Sequence, residues 1–288
     1  MTPKPQAIAD YSPGQTELAE QTLLEVWSRL GDFHDHLVLV GGLAPRYIVP
    51  QGKSKPPSVP PHCGTMDVDL GVSLAIANLR TYATLRETLT ESLGFEPGRS
   101  RMGAPQRHSF SKKVAGAEIV LDFLTTTYEG PPEKVRQVEE DLSAIQVEGL
   151  GLALVEPLQV LIEGELLHGG HTKQTVRVCR PVPFVVLKAL ALAKRGEPKD
   201  AYDLVYILRY ATENPTGLAN LATQAERGAD SFRHAVHEIE SIFRSPDESG
   251  PARYARFVRD QEDNPAVQAF AAAKEFINAL QGYFETSA

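Results

Sequence analysis

The sequence holds only two cysteines, Cys63 and Cys179, in 288 residues. That excludes a disulfide framework and fits a reducing compartment. No apolar run reaches the roughly 18 residues that a membrane span needs. The first ten residues, MTPKPQAIAD, contain no apolar stretch of the signal-peptide type. A cytoplasmic protein with no membrane contact is therefore expected. No internal repeat is visible. Positive charge is also short: the formal net charge is −8. This argues against a surface coated in basic residues for nucleic acid and leaves only a local basic groove open. What is present is 42% hydrophobic and 23% charged residues, the balance of a soluble globular chain that builds a sizeable core without staples.

Periodicity divides the chain. Leu18, Leu23, Val26, Trp27 and Leu30 make a core stripe in a helix over 15–30. HLVLVGG reads as a short buried strand stopped by a glycine pair, and LAPRYIV restarts as a helix. PQGKSKPPSVPPHCG is too proline-rich for regular structure and reads as an exposed loop. TMDVDLGVS alternates as a strand. The stretch 76–93 is expected as a helix ended at Gly94. QRHSFSK and AEIVLDFLT are expected as a hairpin turning near Gly116. PPEKVRQVEEDL reads as a polar loop. In 150–180, LQVLIEGELL either pairs with KQTVRVC or is helical. From Pro181 the pattern is helical, with helices at PVPFVVLKALALAKR, PKDAYDLVYILRYA, 218–227, 230–244 and 265–284. The expected organisation is an α/β domain over 1–180 and a helical domain over 181–288.

Asp67 and Asp69 sit two apart on the expected strand. They project to one face about 7 Å apart along it, with Val68 and Leu70 on the other face. Charge in so apolar a run is costly unless paired. Two such carboxylates can share a pair of divalent ions about 3.5–4 Å apart. A third carboxylate on a neighbouring strand would complete the set. Asp122, between Leu121 and Phe123, is the candidate, and Glu118 on the same face is a weaker one. Taken singly, each feature also fits a strand edge or a turn cap. The order carries the argument: strand, Gly-Gly, helix, strand with Asp-x-Asp, later strand with Asp.

In that order the sequence resembles the nucleotidyltransferase superfamily with the DNA polymerase β-type palm. LVLVGGLAPRYI, TMDVDLGV and IVLDFL stand where its three motifs stand. The resemblance implies an α+β fold, a nucleotidyltransferase-type mixed sheet with helices followed by a C-terminal helical region. It also implies Gly41 and Gly42 beside nucleotide phosphates, in keeping with the affinity of helix N-termini for anions. Asp67 and Asp69 would be ligands of Mg²⁺ or Mn²⁺, and Asp122 the third carboxylate, helping to activate the attacking hydroxyl. From Gly42 to Asp67 is 25 positions, longer than that superfamily's usual spacing, and the proline-rich loop absorbs the excess.

Lys188 is the only charge between Pro181 and Lys194. Its helical neighbours Phe184, Val185, Ala191 and Leu192 include no acid. It either snorkels to the surface or meets a charge brought from elsewhere, and a phosphate would serve. On this view Lys188→Met would leave folding intact. In the next helix Ala201, Leu204, Val205 and Leu208 form the core stripe, with Asp200 and Asp203 off it. Asp200 in the first turn suits the helix dipole. The run Lys188, Arg195, Lys199-Asp200, Asp203 resembles the C-terminal motifs of the AbiEii/AbiGii abortive-infection toxins. These are nucleotidyltransferase-like toxins of bacterial toxin–antitoxin pairs. That resemblance implies that Lys188 holds nucleotide phosphates and Asp203 supports the site, with Arg195, Lys199 and Asp200 as lesser nucleotide-side candidates. It implies a nucleoside triphosphate substrate, an RNA acceptor such as tRNA, and a cognate antitoxin.

Residues 99–113 carry Arg99, Arg101, Arg107, Lys112 and Lys113 and no acid, so they are either a phosphate-contacting strand or a solvated hairpin face. Three functions follow from the sequence. They are a metal-dependent transferase toxin acting on RNA, a nucleotidyltransferase acting on a small molecule, and a non-catalytic binding member of the fold.

Overall fold

The computed structural model describes residues 5–49, 59–73, 75, 82–100, 102–127, 134–139 and 142–286. The chain forms two compact units. The sheet unit is Ser12–Tyr47 with Gly64–Arg180, and the helical unit is Met1–Tyr11, Ile48–Cys63 and Pro181–Ala288.

The sheet unit starts with α1 (Pro13–Arg29). Ser12 caps it by accepting from the Gln15 amide, and Gln15 reaches back to the Ser12 amide, a reciprocal cap that satisfies two donors. Ala19, Leu23, Val26 and Trp27 of α1 are buried, and the Trp27 indole N–H donates to the Thr175 carbonyl at 3.0 Å. β1 (Leu37–Val40) is apolar and buried throughout, as a strand inside a sheet must be. A 3₁₀ turn at Gly41–Leu43 and the short α2 (Pro45–Ile48) follow. Residues 50–58 of the expected proline-rich loop lie outside the described residues.

β2 (Asp67–Val72) returns antiparallel to β1. α3 (Tyr82–Glu87) runs into a π-helical turn, Thr88–Ser92, and Gly94 with φ +67° ends it; residues 76–81 of the expected helix lie outside the described residues. β3 (Glu96–Arg99), β4 (Pro105–Val114) and β5 (Ala117–Thr126) follow, with β4 and β5 joined at Ala115-Gly116, both at positive φ. A two-residue turn of that kind matches the right-handed twist of a hairpin.

The polar segment expected as a loop is instead a strand, β6 (Val135–Glu139), paired antiparallel with β7 (Leu142–Val147). β6 pairs only with β7 among the described strands, and an edge position tolerates a polar sequence that a central one would not. The short α4 (Leu150–Leu154) leads to the antiparallel pair β8 (Leu158–Glu165) and β9 (His171–Val178), which resolves the ambiguous segment as a hairpin. The sheet order is β3-β4-β5-β2-β1-β9-β8, with β7 added to β5 and β6 to β7. β2–β5 and β1–β9 are parallel, so the sheet is mixed and the fold is α+β. On β5, Ile119, Leu121, Phe123 and Thr125 are buried while the alternate residues are not. One sheet face is core here and the other is half open.

The helical unit contains α5 (Pro181–Arg195), α6 (Pro198–Tyr210), α7 (Pro215–Asn220), α8 (Gln224–Gly228), α9 (Asp230–Ile242), α10 (Ser249–Val258) and α11 (Pro265–Thr286). The single helix expected over 218–227 is two, because Thr223 starts a new one by accepting from the Glu226 amide. α10 is an addition to the expected set. Its SGP start reads as a loop, but Pro251 lies in the first turn, where no amide is needed, and Tyr254, Phe257 and Val258 are buried.

Candidate functional site

In the sheet unit the carboxylates are set by strand register. Asp69 is directly opposite Asp122 on the parallel β2–β5 pair. Ser109 is opposite Asp122 on the other side, and Val40 is opposite Asp69. The row Ser109–Asp122–Asp69 therefore presents its side chains on one sheet face, while Val68, Leu70, Leu121 and Phe123 are buried on the other. Asp67, two residues before Asp69, shares that face at the exposed start of β2, and its amide donates to Thr65 Oγ1 at 3.3 Å. Glu118 is exposed and lies opposite Lys113.

Gly41 follows Val40 and has φ +66°; a Cβ there would lie 1.8 Å from Asp69 Oδ2 and 2.5 Å from its Cγ. The Asp69 carboxylate thus rests directly on the Gly41 backbone. Only glycine meets both demands, a left-handed φ and no side chain. The long separation between glycines and aspartates in sequence is closed by the antiparallel β1–β2 pairing. Gly42 is buried in the 3₁₀ turn.

Among the described residues, no three His, Cys, Asp or Glu side chains form a ready-made cation cage. The row provides a facing pair, Asp69 and Asp122, with Asp67 alongside. Carboxylate oxygens on a half-open face are hard donors that suit Mg²⁺ or Mn²⁺, which keep part of their own water shell.

In the helical unit Lys188 does not snorkel. It is 7% exposed, and the charges it meets come from α6: Nζ donates to Asp200 Oδ1 at 3.1 Å and pairs with Asp203 Oδ2 at 2.8 Å. Arg195 grips Asp200 through Nε at 2.5 Å and Nη2 at 2.7 Å. Lys199 pairs with Asp203 Oδ1, and His62 Nε2 reaches the same oxygen at 2.9 Å. Asp200 and Asp203, expected off the core stripe, are 1% and 0% exposed, because α6 is buried continuously from Asp200 to Leu208.

Burial alone would raise both carboxyl pKa values. Lys188 and Lys199, with the His62 hydrogen bond, reverse this and hold Asp203 well below the usual carboxylate range. Lys188 and Arg195 likewise lower Asp200. Burial would lower Lys188 and Lys199, but the carboxylates more than offset it and both are raised. The cluster is therefore fully ionised near neutrality, with three cationic side chains facing two carboxylates.

His62 was not legible as a site residue: PPHCG carries no periodicity, and its partner lies 141 positions away. The basic segment divides by role. Arg99 donates to the Gly103 carbonyl. Lys112 Nζ is used locally, by the Leu93 carbonyl at 2.6 Å and by His168. Arg107 and Lys113 are exposed and share the Asp122 face by register. Arg101 lies outside the described residues. Of the expected site residues, Gly41, Gly42, Asp67, Asp69 and Asp122 belong to the sheet unit. Lys188, Arg195, Lys199, Asp200 and Asp203 belong to the helical unit.

A family model described as the nucleotidyl transferase AbiEii toxin of type IV toxin–antitoxin systems matches residues 25–275. Comparison with curated proteins returns no match. Among the described residues no helix is long and apolar enough to cross a membrane.

Proposed function

The chain belongs to the AbiEii nucleotidyltransferase toxin family, and on that premise we propose that it is a metal-dependent enzyme moving a nucleotide from a nucleoside triphosphate to an RNA acceptor such as a tRNA, under the control of a cognate antitoxin. The observation that carries the reading is the Asp69 carboxylate seated on Gly41 and facing Asp122. A structural surface pair would not call for a glycine at positive φ beneath it.

In the proposed reaction an acceptor hydroxyl oxygen bonds to the α-phosphorus, the bond from that phosphorus to the bridging oxygen breaks, and pyrophosphate leaves. Asp67, Asp69 and Asp122 would hold Mg²⁺ or Mn²⁺, which supplies charge neutralisation for the phosphates. A carboxylate oxygen of Asp122 accepts the hydroxyl proton. Ser109, beside Asp122, leaves room for the acceptor on the same sheet face. Gly41 and Gly42 offer backbone amides to the phosphates. Lys188 is kept charged by Asp200 and Asp203, and its role in this reading is that of the family's phosphate-side lysine; Arg195 and Lys199 secure the two carboxylates.

The double pairing of Lys188 favours a second reading of that residue alone, as the ionic tie between α5 and α6. Incubation with each labelled nucleoside triphosphate, Mg²⁺ and total RNA, followed by a gel, tests the proposal. Label on RNA that disappears in Asp69→Asn supports it. Label only on small molecules replaces the RNA acceptor with a small one, and no transfer under any condition overturns the reading.

A further inference from the structure

We propose that His62 is a positioning residue for the Lys188–Asp203 cluster, and that Val59–Cys63 is a strap fastened along α6 to deliver it. The inference rests on the proposed role of Lys188 at nucleotide phosphates and extends the site to a residue outside its motifs.

Three contacts fasten the strap within four residues. Tyr206 Oη donates to the Pro60 carbonyl at 3.0 Å, His62 Nε2 meets Asp203 Oδ1 at 2.9 Å, and the Cys63 amide donates to Tyr202 Oη at 3.1 Å. Their partners, Tyr202, Asp203 and Tyr206, are neighbours on successive turns of one helix. Pro60 and Pro61 restrict the strap's backbone. The His62 side chain is wholly buried. Its ring lies edge-on to Tyr206 at 4.8 Å and tilted against Tyr202 at 5.1 Å.

Asp203 has three partners, two of them lysine ammoniums on flexible four-carbon stems: Lys199 hydrogen-bonds Oδ1, and Lys188 pairs with Oδ2 by charge at 2.8 Å. His62 is the third, a planar donor whose ring rests against both tyrosine rings. An ionised carboxylate only accepts, so Nε2 carries the hydrogen. A planar donor on Oδ1 limits the rotation of the carboxylate, which keeps Oδ2 within 2.8 Å of the Lys188 ammonium for the charge pairing. The long excursion between Gly42 and Asp67 thereby supplies a buried, ring-packed donor to the cluster.

The test uses the full chain with His62→Phe, which keeps a ring against the tyrosines but removes the donor, and His62→Gln, which restores a donor at similar reach. Three readouts are taken: kcat and KM for transfer, the melting temperature, and the rate at which an acylating reagent labels Lys188, followed by mass spectrometry without nucleotide. Loss of a hydrogen bond to a charged group is expected to cost about tenfold or more in activity. His62→Phe is expected to lose that much in kcat with little change in KM, and to label Lys188 faster. His62→Gln is expected to recover most of both. Wild-type kcat and labelling in His62→Phe overturn the proposal. So does equal impairment of the two variants with matching losses in melting temperature, which marks a packing role only. If the wild type transfers nothing, the proposed function falls, and the labelling rates still decide the role of His62.

Discussion

On β2 and β5 two carboxylates of like sign lie directly opposite each other, Asp69 against Asp122, on a half-open face. On α5 and α6 the carboxylates are fully buried and meet opposite charge: Asp200 has Lys188 and Arg195, and Asp203 has Lys188, Lys199 and His62. Both arrangements put ionised groups into apolar elements. In the helical unit the protein itself compensates them, so breaking the set leaves a buried charge exposed to the full desolvation cost. In the sheet unit strand register sets two carboxylates side by side, and repulsion between carboxylates so placed favours binding of a cation. The first pattern fits the positioning role proposed for His62 and Asp203, and the second fits the metal-binding role proposed for Asp69 and Asp122.

The sharpest way to break this contrast is Asp69→Asn. Transfer is expected to fall on the order of a thousandfold, about 4 kcal/mol of transition-state stabilisation, while repulsion with Asp122 is relieved and the melting temperature stays level or rises. A destabilised variant would put Asp69 in the same class as Asp203.

Lys188→Met comes next. The apolar helix taken alone suggests a silent change in stability, but the structure reverses that expectation. Asp200 and Asp203 would lose a shared cation at full burial, at a cost of roughly 3 kcal/mol, read as a lower midpoint in urea. Wild-type stability would mean that Arg195, Lys199 and His62 suffice. Transfer measured where the variant is still folded then separates the two readings of Lys188. A further loss of more than about tenfold, equivalent to 1.4 kcal/mol, supports the phosphate contact.

Gly41→Ala probes the sheet side without altering charge. The positive φ costs about 1–2 kcal/mol for a residue with a Cβ, and the clash with Asp69 must also be relieved. A modest fall in melting temperature with a larger fall in transfer is expected. The reverse ranking would make Gly41 a turn residue only.

The smallest effect is in pH. Asp200 and Asp203 have folded pKa values below their unfolded ones. The unfolded chain therefore binds more protons between the two values, and stability rises with pH there. The contribution is complete above the unfolded value of about 3.9 and is lost as pH falls below it. Urea midpoints between pH 5 and pH 3 should decline less steeply in Asp203→Asn than in the wild type, and parallel slopes would deny Asp203 its depressed pKa. Lys188 and Lys199 are raised, so their contribution is lost only in strong alkali, as pH rises through their folded values.

Periodicity was a good guide wherever one element alone decided the outcome. The alternation of DVDLGV and AEIVLDFL placed both aspartate sets on one face, and the apolar stripe of α1 and the apolar run of α5 were legible as helices. It failed where pairing decided. β6 can be polar because among the described strands it pairs only with β7, and nothing in VRQVE says that a partner will be there. α10 begins in a run of loop formers because a first turn does not use the amide that Pro251 lacks. Lys188 showed as an anomaly, yet no local rule could name its partners, since Asp200 and Asp203 come from the next helix and reach it only after α6 packs on α5.

The sequence by itself determined most of the elements, the strand face shared by Asp67 and Asp69 and, through its ordered motifs, the chemistry to expect. Those properties depend on dihedral preference and repeat length within a few residues. Tertiary structure decided which charges meet: Gly41 with Asp69 across the β1–β2 pair, Asp69 with Asp122 across β2–β5, and Lys188 and His62 with Asp203. Periodicity carries no information about register or reach between elements distant along the chain. These contacts exist only once backbone pairing and burial have brought the elements within hydrogen-bond distance of one another.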